Sequence, residues 1–154
     1  MFKRILFCAD FSENSQYAFT YALNVAKNYS SELVILHVAP VIVHLDELST
    51  YLPSETLEEL KTLRRKDVDR QMETHYLQKM GDFKNSRAII KEGQPFLEII
   101  RTAKNEGVDL IVMGTHGRTG LDHMLLGSTA EKVVRQSTCP VLTIRLPGKK
   151  FTMA

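Results

Sequence analysis

The chain has 154 residues, 44% of them hydrophobic and 25% charged, with a formal net charge of +2. That length is one domain with room for a buried core, and so small a charge gives no argument for a nucleic-acid or membrane surface, neither of which is expected as a partner. No apolar run approaches the ~18 residues that read as a membrane span, and the N-terminus Met1-Phe-Lys-Arg-Ile-Leu-Phe-Cys8 enters a strand-like segment rather than a signal peptide. The expected compartment is the cytoplasm. Cys8 and Cys139 lie beside apolar runs and in no ligand-spaced cluster, which reads as free thiols in a reducing setting.

Arg4 to Ala9 is a short apolar run ending at Asp10, and Ser12 offers a helix N-cap. Ala18, Ala22, Val25, Ala26 and Tyr29 then recur at helical spacing. Leu33 to Val38 is a second strand, rich in β-branched residues. Pro40 to Pro53 has no period and reads as a loop. Ser54 to Met80 is a long charged helix with a broken apolar stripe of Leu57, Leu60, Val68, Met72, Tyr76 and Met80, stopped by Gly81. Ser86 to Lys91 is a third strand, Pro95 to Glu106 a short helix stopped by Gly107, and Leu110 to Met113 a fourth strand. A helix begins after Ser128, Pro140 to Arg145 is a fifth strand, and Lys149 to Ala154 is a loose tail.

Five apolar runs alternating with four helical patterns predict a parallel sheet with helices on both faces. Ligands of such sheets bind beyond the carboxyl ends of strands, where the winding reverses. The carboxyl ends available are Asp10, Val38-Ala39, Gly93 and Gly114; the sequence leaves open which strands are neighbours.

After the fourth strand comes Gly114-Thr-His-Gly117-Arg118, and nine intervening residues separate Gly117 from Gly127-Ser128-Thr129. At an average glycine usage of ~7%, chance supplies three glycines so spaced in roughly one chain in twenty of this length, so the context carries the argument. A strand ending in glycines and restarting as a helix lets backbone approach a phosphate and aims unpaired N–H groups at it. Ser128-x-x-Glu131 also reads as a capping box, so Ser128 either starts its helix or serves a phosphate. Asp10 either accepts hydrogen bonds from a ribose or begins the first helix. Val38 and Ala39 either offer backbone to an adenine edge or belong to the core. Arg118 either reaches a phosphate or is a solvated loop residue. His116 and His123 flank Asp122, but no second cluster supplies convergent ligands, so no protein-built metal site is expected. His37, His44 and His75 read as structural.

The chain has no G-x4-G-K-[ST], hence no P-loop lysine for the β- and γ-phosphates. It has no G-x-S-x-G nucleophile elbow, and no G-x-G-x-x-G after the first strand. The pattern is that of a phosphate holder rather than a phosphoryl-transfer machine.

Arg4-Ile-Leu-Phe-Cys-Ala-Asp10, Leu36-His-Val38, Asp109-Leu-Ile-Val-Met-Gly-Thr-His-Gly117, Leu126-Gly-Ser-Thr-Ala130 and Pro140-Val-Leu-Thr-Ile-Arg145 together resemble the universal stress protein family. The G-x2-G-x9-G-[ST] spacing resembles its ATP-binding branch, with every fixed position present; Ala9 departs from the proline or valine common before the aspartate. The resemblance implies a Rossmann-like α/β fold, close to the adenine nucleotide alpha hydrolases, with sheet order 3-2-1-4-5. The domain would span residues 1–146, with 147–154 a tail. It implies a nucleotide site of Ala9, Asp10 (ribose), Val38 (adenine), Met113, Gly114, His116, Gly117 and Arg118 (phosphates), closed by Gly127, Ser128 and Thr129. A Mg or Mn ion would arrive with the phosphates. Also implied is a homodimer through the last strand, Val141, Leu142, Thr143 and Ile144, since an apolar edge strand is a liability unless paired.

The leading expectation is an ATP- or AMP-binding stress-response protein, regulatory rather than metabolic, acting on an unidentified partner. The alternatives are a slow ATPase or phosphoryl- or adenylyl-transfer enzyme using the same site, and a dimeric scaffold whose glycine loop is structural.

Overall fold

The computed structural model describes residues 1–41, 47, 49–117 and 126–148. The strands are β1 (Arg4–Ala9), β2 (Glu32–Ala39), β3 (Ser86–Glu92), β4 (Leu110–Gly114) and β5 (Val141–Ile144). The helices are α1 (Glu13–Tyr29), α2 (Ser54–His75), α3 (Pro95–Asn105) and α4 (Ser128–Gln136), with a 3-10 turn at Leu77–Met80. All strand pairs are parallel, in the order β3-β2-β1-β4-β5. The expected architecture and strand order are therefore those of the protein.

The central strand explains the layering. Successive side chains of a strand point to opposite faces. Ile5, Phe7 and Ala9 enter one core with Ala18, Ala22 and Ala26 of α1 and Val68 and Met72 of α2. Leu6 and Cys8 enter the other with Ile99 and Ala103 of α3 and Ala130 and Val133 of α4. Ile5, Leu6 and Phe7 are all fully buried, because a central parallel strand is covered on both sides.

Helix ends follow local chemistry. Ser12 caps α1, its hydroxyl accepting the Ser15 N–H at 3.1 Å, as the sequence predicted. Gly107, at φ +62°, ends the α3 turn in a conformation that suits glycine.

The long helix departs from expectation. It stops at His75, Tyr76 leaves helical geometry (φ −129°, ψ −57°), and Leu77–Met80 is a separate turn. Of the predicted stripe, Val68, Met72, Tyr76 and Met80 are buried, whereas Leu60 is exposed. At 1.5 Å per residue the 22 residues of α2 span about 33 Å, and the six of β1 only about 20 Å. The helix overhangs the sheet, so only its C-terminal half has a core to enter.

At the amino ends of the strands, Glu32 receives Arg4 and Arg87, each at 2.6 Å, and Arg87 also pairs with Glu106. Asp109 accepts the backbone N–H groups of Lys3 (2.7 Å) and Arg4 (2.9 Å). The opposite ends of the strands are left for a site. Among the described residues no helix is long and apolar enough to cross a membrane.

Candidate functional site

The sheet runs outward from β1 to β2 and β3, then returns to β4 and β5 on the other side. The chain therefore leaves β1 and β4 in opposite directions, and a cleft opens beyond their carboxyl ends. A cavity of about 310 Å³ occupies this position. Its apolar wall is Leu36, Val38, Pro40, Pro95, Ile99 and Met113; its polar end is Asp10 with Gly114, Thr115, Gly117 and Gly127 through Ala130.

One wall is an unfinished sheet. The β1–β2 ladder ends at Ala9↔His37, while β2 continues against β3 through Val38↔Lys91 and Ala39↔Glu92. The Ala39 carbonyl accepts the Gly93 N–H on the β3 side. Carbonyls alternate along a strand, so that of Val38 points to the side where β1 has ended. It faces the cleft.

At the end of β1, Asp10 helps begin the first helix and turns its second carboxylate oxygen toward the glycine loop. Its Oδ1 accepts the Ser12 N–H at 2.9 Å and the Ser12 hydroxyl at 2.5 Å, fixing the residue that caps α1. Its Oδ2 faces Gly117, where a Cβ would stand only 2.9 Å away. The turn holding it is unusual: Phe11, a bulky residue, lies in the left-handed region at φ +65°. The Phe11 ring lies 4.2 Å from that of His37, whose Nδ1–H donates to the Ala9 carbonyl at 2.8 Å.

The glycines are required by close approach. A Cβ on Gly114 would meet Asn14 Nδ2 at 2.8 Å, and one on Gly127 would meet the Thr115 carbonyl at 3.2 Å. Asn14 pins the loop by donating from Nδ2 to the His116 carbonyl (3.0 Å) and the Thr115 hydroxyl (3.4 Å). The Gly127 N–H donates to the Thr115 carbonyl at 2.7 Å and closes the loop.

That closure places the start of α4. Gly127 is its N-cap, in extended conformation, with no side-chain bond. The expected capping box is therefore not formed: Ser128 is the first helical residue and Glu131 pairs with Arg135 at 3.0 Å. The first N–H groups of a helix have no partner within it, and here Ser128, Thr129 and Ala130 border the cavity. A carboxylate thus stands at one side of the cleft and the positive end of a helix dipole at the other.

Of the expected site residues, Ala9, Asp10, Val38, Met113, Gly114, Gly117, Gly127, Ser128 and Thr129 meet in this one cavity. His116 does not line the cavity: its carbonyl accepts from Asn14, and its Nδ1 lies 3.0 Å from the Thr115 hydroxyl. Arg118, His123 and Asp122 lie outside the described residues. Sequence reading missed Cys8, His37, Thr115, Pro95 and Ile99 in the wall, and Asn14 and Tyr76 behind it. Thr115 sits within the glycine motif and is the one that pattern alone offered. Cys8 and Cys139 are both free thiols, as expected. Burial, with the nearby Asp10 charge adding to it, pushes the Cys8 thiol well above its ordinary range, so it is protonated at neutral pH.

A sequence model of the universal stress protein family matches residues 1–145. The chain belongs to the universal stress protein family. Among similar members is universal stress protein YxiE of Bacillus subtilis, 35% identical over 94% of this chain and all of that protein. Universal stress protein MJ0577 of Methanocaldococcus jannaschii is 35% identical over 94% of this chain and 96% of its own length. The solved structure of MJ0577 superposes with a TM-score of 0.81 at 32% identity, covering 96% of this chain and 99% of that one. A universal stress protein solved in complex with cAMP shares the fold alone, at 21% identity and a TM-score of 0.59 over 93% of this chain and 96% of its own.

Proposed function

We propose that this universal stress protein holds an adenine nucleotide, ATP or AMP, in the cleft between β1 and β4 and acts as a regulatory or sensing component of a stress response. One observation carries the reading. A single cavity brings together a strand edge that β1 leaves uncovered from Val38, the carboxylate of Asp10, and the first turn of α4 beyond a loop that only glycine fits. The Val38 carbonyl, turned to the cleft, suits the amino edge of adenine, and the apolar wall suits its faces. Asp10 accepts from the ribose hydroxyls. The phosphates rest on the N–H groups that open α4, with Gly114 and Gly117 letting the loop backbone approach. Arg118 and His116 belong to the phosphate end, and a Mg or Mn ion accompanies the phosphates.

The same reading gives a cytoplasmic homodimer and a regulated protein partner. Among the described residues β5 is hydrogen-bonded to β4 on one side only, and Val141, Leu142 and Thr143 are half-buried on that edge strand. Pairing two such edges satisfies both rows of backbone groups.

The direct test is mass spectrometry of the small molecules released when purified protein is denatured, together with a thermal melt with ATP and Mg2+. At a hundredfold excess over Kd, a ligand stabilises by about 2.7 kcal/mol, a shift that a melt resolves. No adenine compound released and no shift with ATP or AMP ends the proposal. Multiple-turnover phosphate release from ATP would move the assignment to an ATPase.

A further inference from the structure

Behind the cleft, outside its lining, sits a buried polar relay that crosses 61 residues of chain. Tyr76 is fully buried, yet its hydroxyl is satisfied: it accepts the Phe11 N–H at 3.1 Å and lies 2.9 Å from the Ser15 hydroxyl. Ser15 Oγ in turn accepts the Asp10 N–H at 3.3 Å and donates to the Cys8 carbonyl at 3.4 Å. Because the serine hydrogen is directed to Cys8, the tyrosine is the donor in the Tyr76–Ser15 bond. Every donor then has an acceptor, and the N–H groups of Asp10 and Phe11 both end on this hydroxyl pair. The bonds hold the one turn in which a non-glycine residue must keep φ at +65° just after Asp10. A left-handed phenylalanine is costly without such support. The rings help: Tyr76 packs 5.9 Å from Phe11 and 5.3 Å from Phe7. Burial raises the phenol to about 12, so it remains a neutral donor at physiological pH.

We infer that Tyr76, delivered from the end of α2, is a positioning residue that aims the Asp10 carboxylate into the cleft and so sets recognition of a ribose bearing free hydroxyls. This rests on the nucleotide reading above. Without the hydroxyl the Phe11 N–H is orphaned, the turn relaxes, and Asp10 no longer meets the ribose. The rest of the cavity is untouched.

The test is calorimetric binding of ATP and of 2′,3′-dideoxy-ATP, each with Mg2+, to the wild type, Tyr76→Phe and Ser15→Ala. Tyr76→Phe keeps the ring, and a far-UV melt checks the fold; Ser15→Ala carries the test if it is lost. The wild type is expected to prefer ATP. In both variants ATP weakens by about fivefold to tenfold, the worth of one neutral hydrogen bond, while dideoxy-ATP holds its affinity. In an Asp10→Ala background, Tyr76→Phe is expected to add no further loss for ATP. Equal weakening of both nucleotides, or an unchanged preference, overturns the inference and marks Tyr76 as scaffold only. A wild type that binds both equally removes the ribose role of Asp10 and the inference, yet leaves the nucleotide reading standing. A wild type that binds neither ends that reading itself, before any variant is compared.

Discussion

Gly117→Ala isolates the contact between the glycine loop and the end of β1. The added methyl would stand 2.9 Å from Asp10 Oδ2 and, among the described residues beyond its chain neighbours, meets no other heavy atom within 4 Å. Ordinary contact begins about half an ångström further out, so either the carboxylate or the loop must give. The carboxylate is not free to swing, because its other oxygen holds the N–H and the hydroxyl of Ser12 at 2.9 and 2.5 Å. Hydrogen bonds to a charged group are worth about 1.5–3 kcal/mol each; weakening them partially while the loop shares the displacement costs about 1–2 kcal/mol. Gly117 is exposed, so little of this comes from core packing. In a domain of this size 1 kcal/mol moves Tm by about 2–4 °C. The expected result is a modest fall in Tm and ATP affinity weaker by about tenfold, about 1.4 kcal/mol, read by differential scanning and titration calorimetry on the same sample. Unchanged affinity with an unchanged Tm would refute the placing of Asp10 and Gly117 on one ligand. A lowered Tm with unchanged affinity would leave the contact real and the ribose assignment wrong.

Thr143→Pro addresses the dimer: the carbonyls of Pro140 and Ile144 accept from Ile111 and Thr115 on the β4 side, so by alternation the Thr143 N–H points to the other edge. Proline removes that donor and no β4 bond, and light scattering should report monomer; a persisting dimer would place the interface elsewhere. Phe7→Ala empties a fully buried central position between the rings of Phe19 and Tyr76, which should cost about 3–5 kcal/mol in urea unfolding, and a loss under 1 kcal/mol would contradict the packing. Acid should destabilise through Glu32, held below its ordinary 4.5 chiefly by its hydrogen bonds from Arg87 and Arg4, and Asp109, held below 3.8 by the Arg4 and Lys3 N–H groups. A lowered folded-state pKa gives stability that is complete above the unfolded value and lost as pH falls through the folded one. Urea midpoints should therefore drop below about pH 5, less steeply in Glu32→Gln; identical acid limbs would remove Glu32 from the account.

The order of elements and most of their limits were readable because they are local properties. Ile5 to Ala9 is a continuous apolar run, Ser12 is followed by helical spacing, and Gly107 stops α3. The glycine motif was readable for the same reason: its close approaches are to Asp10, Asn14 and its own loop, each permitted only where a side chain is missing. Two local readings failed. The stripe from Leu57 to Met80 had helical period throughout, but nothing in its spacing said where the sheet beneath would end. Ser128-x-x-Glu131 had the letters of a capping box, but the Gly127–Thr115 bond shifted the cap by one residue.

By itself, then, the sequence determined the five-strand alternating plan and the presence of a glycine loop built for close approach, since periodicity, caps and glycine tolerance act over a few residues. Only the tertiary structure decided that β1 and β4 lie side by side, that Val38 runs on past its β1 partner, and that Tyr76 reaches Ser15. Those facts depend on which distant segments bury their apolar faces against each other. A hydroxyl 61 positions along the chain leaves no periodic trace of the partner it will meet.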